Sequence, residues 1–150
     1  MSIGRSPDLR AQYRVAVTVA AALIAAVATY WALVPTLARL GALRPAFAGN
    51  VQIGHLALGL GVVAVVAAGV MRRATLASGG GPPAARLLSA SIVALALAEV
   101  PAVFGLVAYV LTGLAAAAYP LFVLSLAALL LYFPRWPQWV ESANALNRPA

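Results

Sequence analysis

The sequence predicts an all-α integral membrane protein, a four-helix bundle with both termini in the cytoplasm. Three observations carry this. The first is composition: of 150 residues, 64% are hydrophobic and only 9% are charged, against about 25% charged in a soluble domain. One soluble core cannot hide so much apolar surface, so a bilayer is the natural solvent. The second is four apolar stretches, 15–34, 53–71, 87–111 and 114–133. Each approaches or exceeds the ~20 residues a helix needs to cross ~30 Å of hydrocarbon. The third is the placement of arginine, the only strongly basic residue type in the chain.

The elements follow in order. Residues 1–14 read as a polar N-terminal tail. Span one, 15–34, exceeds the ~7–15 apolar residues of a secretory signal, so it is expected to be retained. Pro35 is expected to close it, with Tyr30 and Trp31 as interfacial anchors. Span two, 53–71, has His55 at its mouth. The SGGGPP stretch at 78–83 reads as a flexible loop whose prolines suit the first turn of the next helix. Span three, 87–111, is long enough to tilt. Gly113 and Pro120 are expected to bracket a turn that makes spans three and four a tight hairpin. FPRWPQW, 133–139, ends the last span. Tyr132, Trp136 and Trp139 read as an interfacial aromatic belt, with Arg135 at the headgroups. Residues 134–150 complete the chain as a C-terminal tail, leaving 15–133 as the transmembrane domain.

Arginine also sets the orientation. Arg5, Arg10, Arg14, Arg72, Arg73, Arg86, Arg135 and Arg148 fall on one side of the four spans, and Arg39 and Arg44 on the other. The positive-inside rule puts the first group in the cytoplasm. The net charge of +7 is therefore read as topology, not as nucleic-acid binding, because the arginines are dispersed between apolar runs. There is no cysteine and one histidine. Disulfides, iron–sulfur clusters and cysteine-ligated zinc are excluded, and no metal or cofactor is expected. Nucleophilic triads lack parts. An enzyme is the weakest functional class.

The residue that stands out is Glu99, one of three acidic residues and the only charged one within 87–111. An ionised acid at the bilayer centre costs roughly 2.5–3.5 kcal/mol on insertion scales. Desolvation favours the neutral acid, so Glu99 is expected to rest protonated or to exchange its proton through a narrow wet path. Pro101 frees the carbonyl of Leu97 from its helical bond, offering an acceptor nearby. Ser91, Ala94, Ala98, Ala102, Gly105, Tyr109 and Thr112 recur at helical spacing and form a seam of small and polar residues, with Glu99 on its shoulder. Span two carries a matching face, Ala57, Gly61, Ala64 and Ala68. Small residues permit close helix approach in lipid. The sequence therefore predicts that this face packs against Ala94, Ala98, Ala102 and Gly105.

The stretch LALAEVPAVFGLVAYVL resembles the carboxylate-bearing helix of the rotary ATPase proteolipid, the c subunit, at Ala96, Glu99, Phe104, Gly105, Leu106 and Val107. The resemblance covers residues 53–112 and includes the basic loop with Arg72, Arg73 and Arg86. It implies that Glu99 loads and unloads a proton. The family's glycine-rich helix is reduced here to Gly54, Gly59, Gly61 and Gly69, and extra spans stand before and after the hairpin. The reading is a proteolipid-like hairpin within a different four-helix protein, not a ring subunit. The whole chain also resembles small four-span bacterial membrane proteins, which implies the inner membrane of a bacterium.

Two functional classes stay open. In one, Glu99 binds a proton or cation in an ion-coupled transport component, and a short chain then needs a homo-oligomer to form a pathway. In the other, the chain is a non-catalytic structural or assembly subunit of a larger membrane complex, with Glu99 as a buried hydrogen-bonding group.

Overall fold

A computed structural model describes residues 7–41, 43–78 and 81–146. Arg5, Arg148 and the middle of the 78–83 loop lie outside them. The described residues are helical apart from connections and contain no strand. Five helices follow in order: α1 Pro7–Leu40, α2 Val51–Ala77, α3 Pro83–Thr112, α4 Ala115–Leu131 and α5 Trp136–Leu146. Helices α1, α2 and α3 are each long and apolar enough to cross a membrane. The 17 residues of α4 reach that standard only together with α5, across a bend of 58°. At 1.5 Å per residue α4 alone covers only ~26 Å.

The breaks differ from the sequence reading in physically informative ways. Pro35 does not end α1, which continues through it to Leu40. Nor does a tail run to residue 14: α1 already includes the residues from Pro7, with Asp8 in its first turn, where the helix dipole favours an acid. Pro120 lies inside α4 rather than in the hairpin turn. That turn is made by Gly113, left-handed at φ 72° with its N–H donating to the Tyr109 carbonyl, and by extended Leu114. Two more free carbonyls at the end of α3 are met from the loop after α1. Phe47 N–H donates to Leu111 O (2.9 Å) and Gly49 N–H to Thr112 O (3.0 Å). Asn50 then caps α2, its Oδ1 accepting from Gln52 N–H.

Helices α3 and α4 form the centre. Helix α3 packs on α1, α2 and α4, and most extensively on α2, while α1 and α2 pack on α3 and α4 rather than on each other. The main core joins Ala20, Val27 and Val34 of α1, Leu95, Ala98, Ala102 and Tyr109 of α3, and Ala118, Phe122, Ala128 and Leu129 of α4. The Tyr109 hydroxyl, buried in this core, donates to Val34 O at 3.1 Å.

A second core closes the arginine-rich end. Leu9, Ala16, Leu87, Trp139 and Ala143 are buried together, with Leu76, Trp136 and Val140 against them. It holds α5 onto the start of α1. Trp139 is therefore not a membrane-interface residue: it is 2% exposed, with its ring 5.5 Å from that of Tyr13. Residues 136–146 are a docked helix rather than a plain tail. Pro137 is tolerated because it is the second residue of α5, where its missing N–H has no partner to lose. Arg86 also turns inward, donating to the Leu76 carbonyl at the end of α2.

The small residues of α2 and α3 are buried at Gly61, Ala64, Ala68, Ala94, Ala98, Ala102 and Gly105, and Ala57 is half-buried. Helices α2 and α3 pack directly on each other, and α4 joins the contact. A Cβ placed on Gly105 would lie 3.0 Å from the Ala118 carbonyl oxygen and 3.0 Å from the Leu121 Cβ, so this glycine faces α4. A Cβ on Gly61 would lie 2.7 Å from Leu121 Cδ2 and 3.2 Å from Pro101 Cβ. Gly61 thus sits where α2, α3 and α4 meet. Gly61→Leu is expected to lower stability by about 1–3 kcal/mol, the usual cost of overpacking a filled core. Thermal or denaturant unfolding in detergent reads this, and a Gly61→Leu protein as stable as wild type would refute the three-helix junction.

Candidate functional site

Glu99 occupies the middle of α3, between two differently packed faces. Its neighbours Ala98 and Ala102 are buried completely. Ser89, Ile92, Ala96, Val103, Val107 and Val110 form the exposed face of the same helix. Their steps of three, four and seven residues make one stripe, and Glu99 falls on it, three residues beyond Ala96 and four before Val103. Glu99 is half-buried, and Asp8 and Glu141 are exposed, so no carboxylate of the described residues belongs to the buried core. The expectation of a fully buried Glu99 is corrected accordingly. Three faces of α3 are taken by neighbouring helices, and the carboxylate stands on the remaining one.

Its hydrogen-bond partner comes from α1. The Tyr30 hydroxyl donates to Glu99 Oε1 at 3.3 Å. Tyr30 is thereby a partner of the acid rather than a membrane-interface anchor. Trp31 beside it stacks obliquely on Tyr119, with ring centroids 5.2 Å apart, and Tyr119 meets Phe122 edge-on. Aromatic packing between α1 and α4 therefore fixes the turn of α1 that carries the phenol. The sequence offered no periodic mark by which Tyr30 could be matched to Glu99.

Pro101 shapes the backbone here. It lies buried within α3, two residues beyond Glu99. A proline in a helix interior loses one ladder bond and leaves a carbonyl on the preceding turn under-bonded. The structure supplies a donor from α4: the Ser125 hydroxyl, fully buried, donates to Ala98 O at 2.8 Å. Ser125 thus bonds the carbonyl next to that of Leu97, the one Pro101 leaves without its ladder partner. The bond predicted near Pro101 was between the Glu99 carboxyl and Leu97. The bonds formed are Ser125 to Ala98 and Tyr30 to Glu99. Ser125 carried a readable signal, as the one polar side chain between Leu121 and Leu131.

His55 is exposed on the second turn of α2 and borders a cleft with Val51, Leu58, Leu114 and Pro120. Its surroundings are apolar. Among the described residues no three histidine, cysteine or acidic side chains come together as a metal site. The arrangement around Glu99 holds one carboxyl group between a phenol donor and a helix face that no other helix covers.

Comparison with protein-family models, with curated proteins and with solved structures found no match to this chain.

The Tyr30–Glu99 bond is open to a double-mutant cycle with Tyr30→Phe, Glu99→Ala and the pair. Side-chain bonds between membrane helices couple by about 0.6 kcal/mol on average and up to about 1.7. A coupling in that range is expected from unfolding measurements, and strict additivity would show that the two groups do not interact.

Proposed function

We propose that this chain is a small four-pass membrane protein in which Glu99 is a proton-exchanging carboxylate, the ion-binding element of an ion-coupled transport component. The observation that carries this reading is the position of Glu99: mid-helix, bonded to Tyr30, on a face of α3 that stays open. Carboxylates that carry protons in membranes face a protein interior or a wet path, and Glu99, half-buried beside Tyr30, would meet such a path where another copy covers this face of α3. The resemblance of residues 53–112 to the proteolipid hairpin points the same way, with Glu99 at the position of the carrier acid.

The proposed topology has both termini and the 72–86 loop in the cytoplasm of a bacterial cell, with α4 as the fourth crossing. It rests on arginine: Arg10, Arg14, Arg72, Arg73, Arg86 and Arg135 gather at the end closed by α5, and Arg39 and Arg44 at the other. The chain has no cysteine, so single cysteines report cleanly. Ala77→Cys, at the end of α2, should react with an impermeant thiol reagent only after the membrane is opened. Ala48→Cys, in the loop before α2, should react from outside. The reverse pattern would sink the orientation.

The proposed assembly is a homo-oligomer that covers the exposed stripe of α3, since an acid beside lipid is costly. The same stripe also supports a second reading, a structural subunit whose Glu99 is covered by a different protein. Glu99→Gln separates the two, because it keeps a polar side chain and removes titration. Infrared difference spectra of purified protein from pH 5 to pH 9 should contain a protonated-carboxyl band that Glu99→Gln abolishes and that declines as pH rises. Carbodiimide should label wild type and not Glu99→Gln. A carboxylate already ionised at pH 5 would overturn the proton-site reading. A band unchanged across the whole range would favour the structural one.

A further inference from the structure

A second polar site lies at the arginine-rich end, away from Glu99. Gly69, Arg72, Arg73 and Leu76 of α2 line a cleft with Leu131 of α4 and Tyr132, the residue that caps α4. The floor is apolar and the rim is cationic. Arg72 is half-buried, with its guanidinium carbon 6.0 Å from the centre of the Tyr132 ring. That contact holds the guanidinium by cation–π attraction. The Tyr132 hydroxyl reaches across α2 to Val65 O (3.5 Å) and closes over Gly69, where a Cβ would come within 3.0 Å of it. Arg73 beside them is exposed. Among the described residues no carboxylate pairs with either arginine.

Two unneutralised guanidinium groups on one rim form a receptor for a phosphate, which arginine binds through paired N–H donors. The rest of the surface says what the phosphate is attached to. Val62, Val66 and Val70 are 47%, 62% and 60% exposed. They stand four residues apart on α2, and Arg73 follows three residues later, so all four share one helix face. That face is an apolar track leading away from the cationic rim along the helix axis. Leu131, 69% exposed, borders the start of the track from α4.

We propose that this cleft binds an anionic phospholipid, its headgroup phosphate between Arg72 and Arg73 and an acyl chain along Val70, Val66 and Val62. This rests on the chain lying in a bilayer but not on any role of Glu99. Lipid bound here would bridge α2 and α4 at the level where α4 ends.

The test is native mass spectrometry of the full chain released from detergent with added phosphatidylglycerol or phosphatidylethanolamine. Wild type should retain phosphatidylglycerol preferentially. A basic residue near an anionic membrane surface contributes about 1 kcal/mol, or about fivefold in affinity. Arg73→Gln, at an exposed position where folding is insensitive, should lose about fivefold in retention, and Arg72→Gln with Arg73→Gln about twenty-fivefold. Arg39→Gln with Arg44→Gln, at the other end, should retain as much as wild type. Equal retention of the two lipids, no loss in Arg73→Gln, or an equal loss in the Arg39/Arg44 pair would overturn the site. Displacement of the lipid by excess inorganic phosphate would overturn the lipid assignment and make the rim a free-anion site. Normal phosphatidylglycerol retention with a silent Glu99 infrared band would leave this site standing and the proton reading fallen.

Discussion

Helix α3 touches all four other helices, three of them along its length, and small side chains are what allow it. Ala94, Ala98 and Ala102 are completely buried, and Gly105 meets the α4 backbone at Ala118. In a bilayer, helices gain little from hiding apolar surface, because lipid tails are as apolar as leucine. Association then depends on close contact and on hydrogen bonds. A leucine at any of these four positions would hold the neighbours apart and forfeit the dispersion energy of the whole seam. The large side chains sit instead on the partners. Phe122, Leu121 and Leu129 of α4 and Val27 and Val34 of α1 fill the space that the alanines leave.

Close packing also decides where polar groups end up. Pro101 weakens the α3 ladder where the helix is most crowded, and the polar group that fits beside it is the short Ser125 hydroxyl, which bonds Ala98 O. A long polar chain would not fit there. Glu99, which is long, is left to the one side of α3 without a neighbouring helix, and Tyr30 reaches over from α1 to meet it. The carboxylate's place therefore follows from the seam. Its neighbours Ala98 and Ala102 occupy the buried positions, and residue 99 falls about 100° round from Ala98.

Much of the helix content was legible because apolar length speaks directly. The small faces of α2 and α3 were legible from spacing, and those two helices pack directly on each other. What spacing did not reveal is the share of α4 in the same seam, because α4 reads as uniformly apolar. Its packing residues Ala118, Leu121, Phe122, Ser125, Ala128 and Leu129 are buried beside leucines and valines that are not. The seam of α1 was missed for another reason. Leu9, Ala16, Ala20, Val27 and Val34 are buried at steps of seven and four, a heptad-like mark overlaid by an alanine-rich run in which many residues fit equally well. Helix α5 was read as tail because two prolines in FPRWPQW suggest a break. Pro134 does precede a bend, but Pro137 falls where a helix accepts it. Pro35 misled in the opposite sense, since α1 passes through it.

Magnitudes then bear on how Glu99 is accommodated. With the chain in a bilayer, an ionised acid near the middle of a helix costs roughly 2.5–3.5 kcal/mol. One bond from a phenol on another membrane helix returns about 0.6 kcal/mol, and about 1.7 at most. No arginine stands on α3 between Arg86 and Glu99 or beyond it, so α3 supplies no cation near the acid. A deficit of one to three kcal/mol remains for the charged, isolated chain. Protonation removes it by removing the charge, and the Tyr30 bond survives, because the acid's carbonyl oxygen still accepts. Burial against another chain removes it by replacing lipid with polar contacts. Glu99 thus rests on one polar contact at the edge of the seam, whereas the Ser125–Ala98 bond is buried within it.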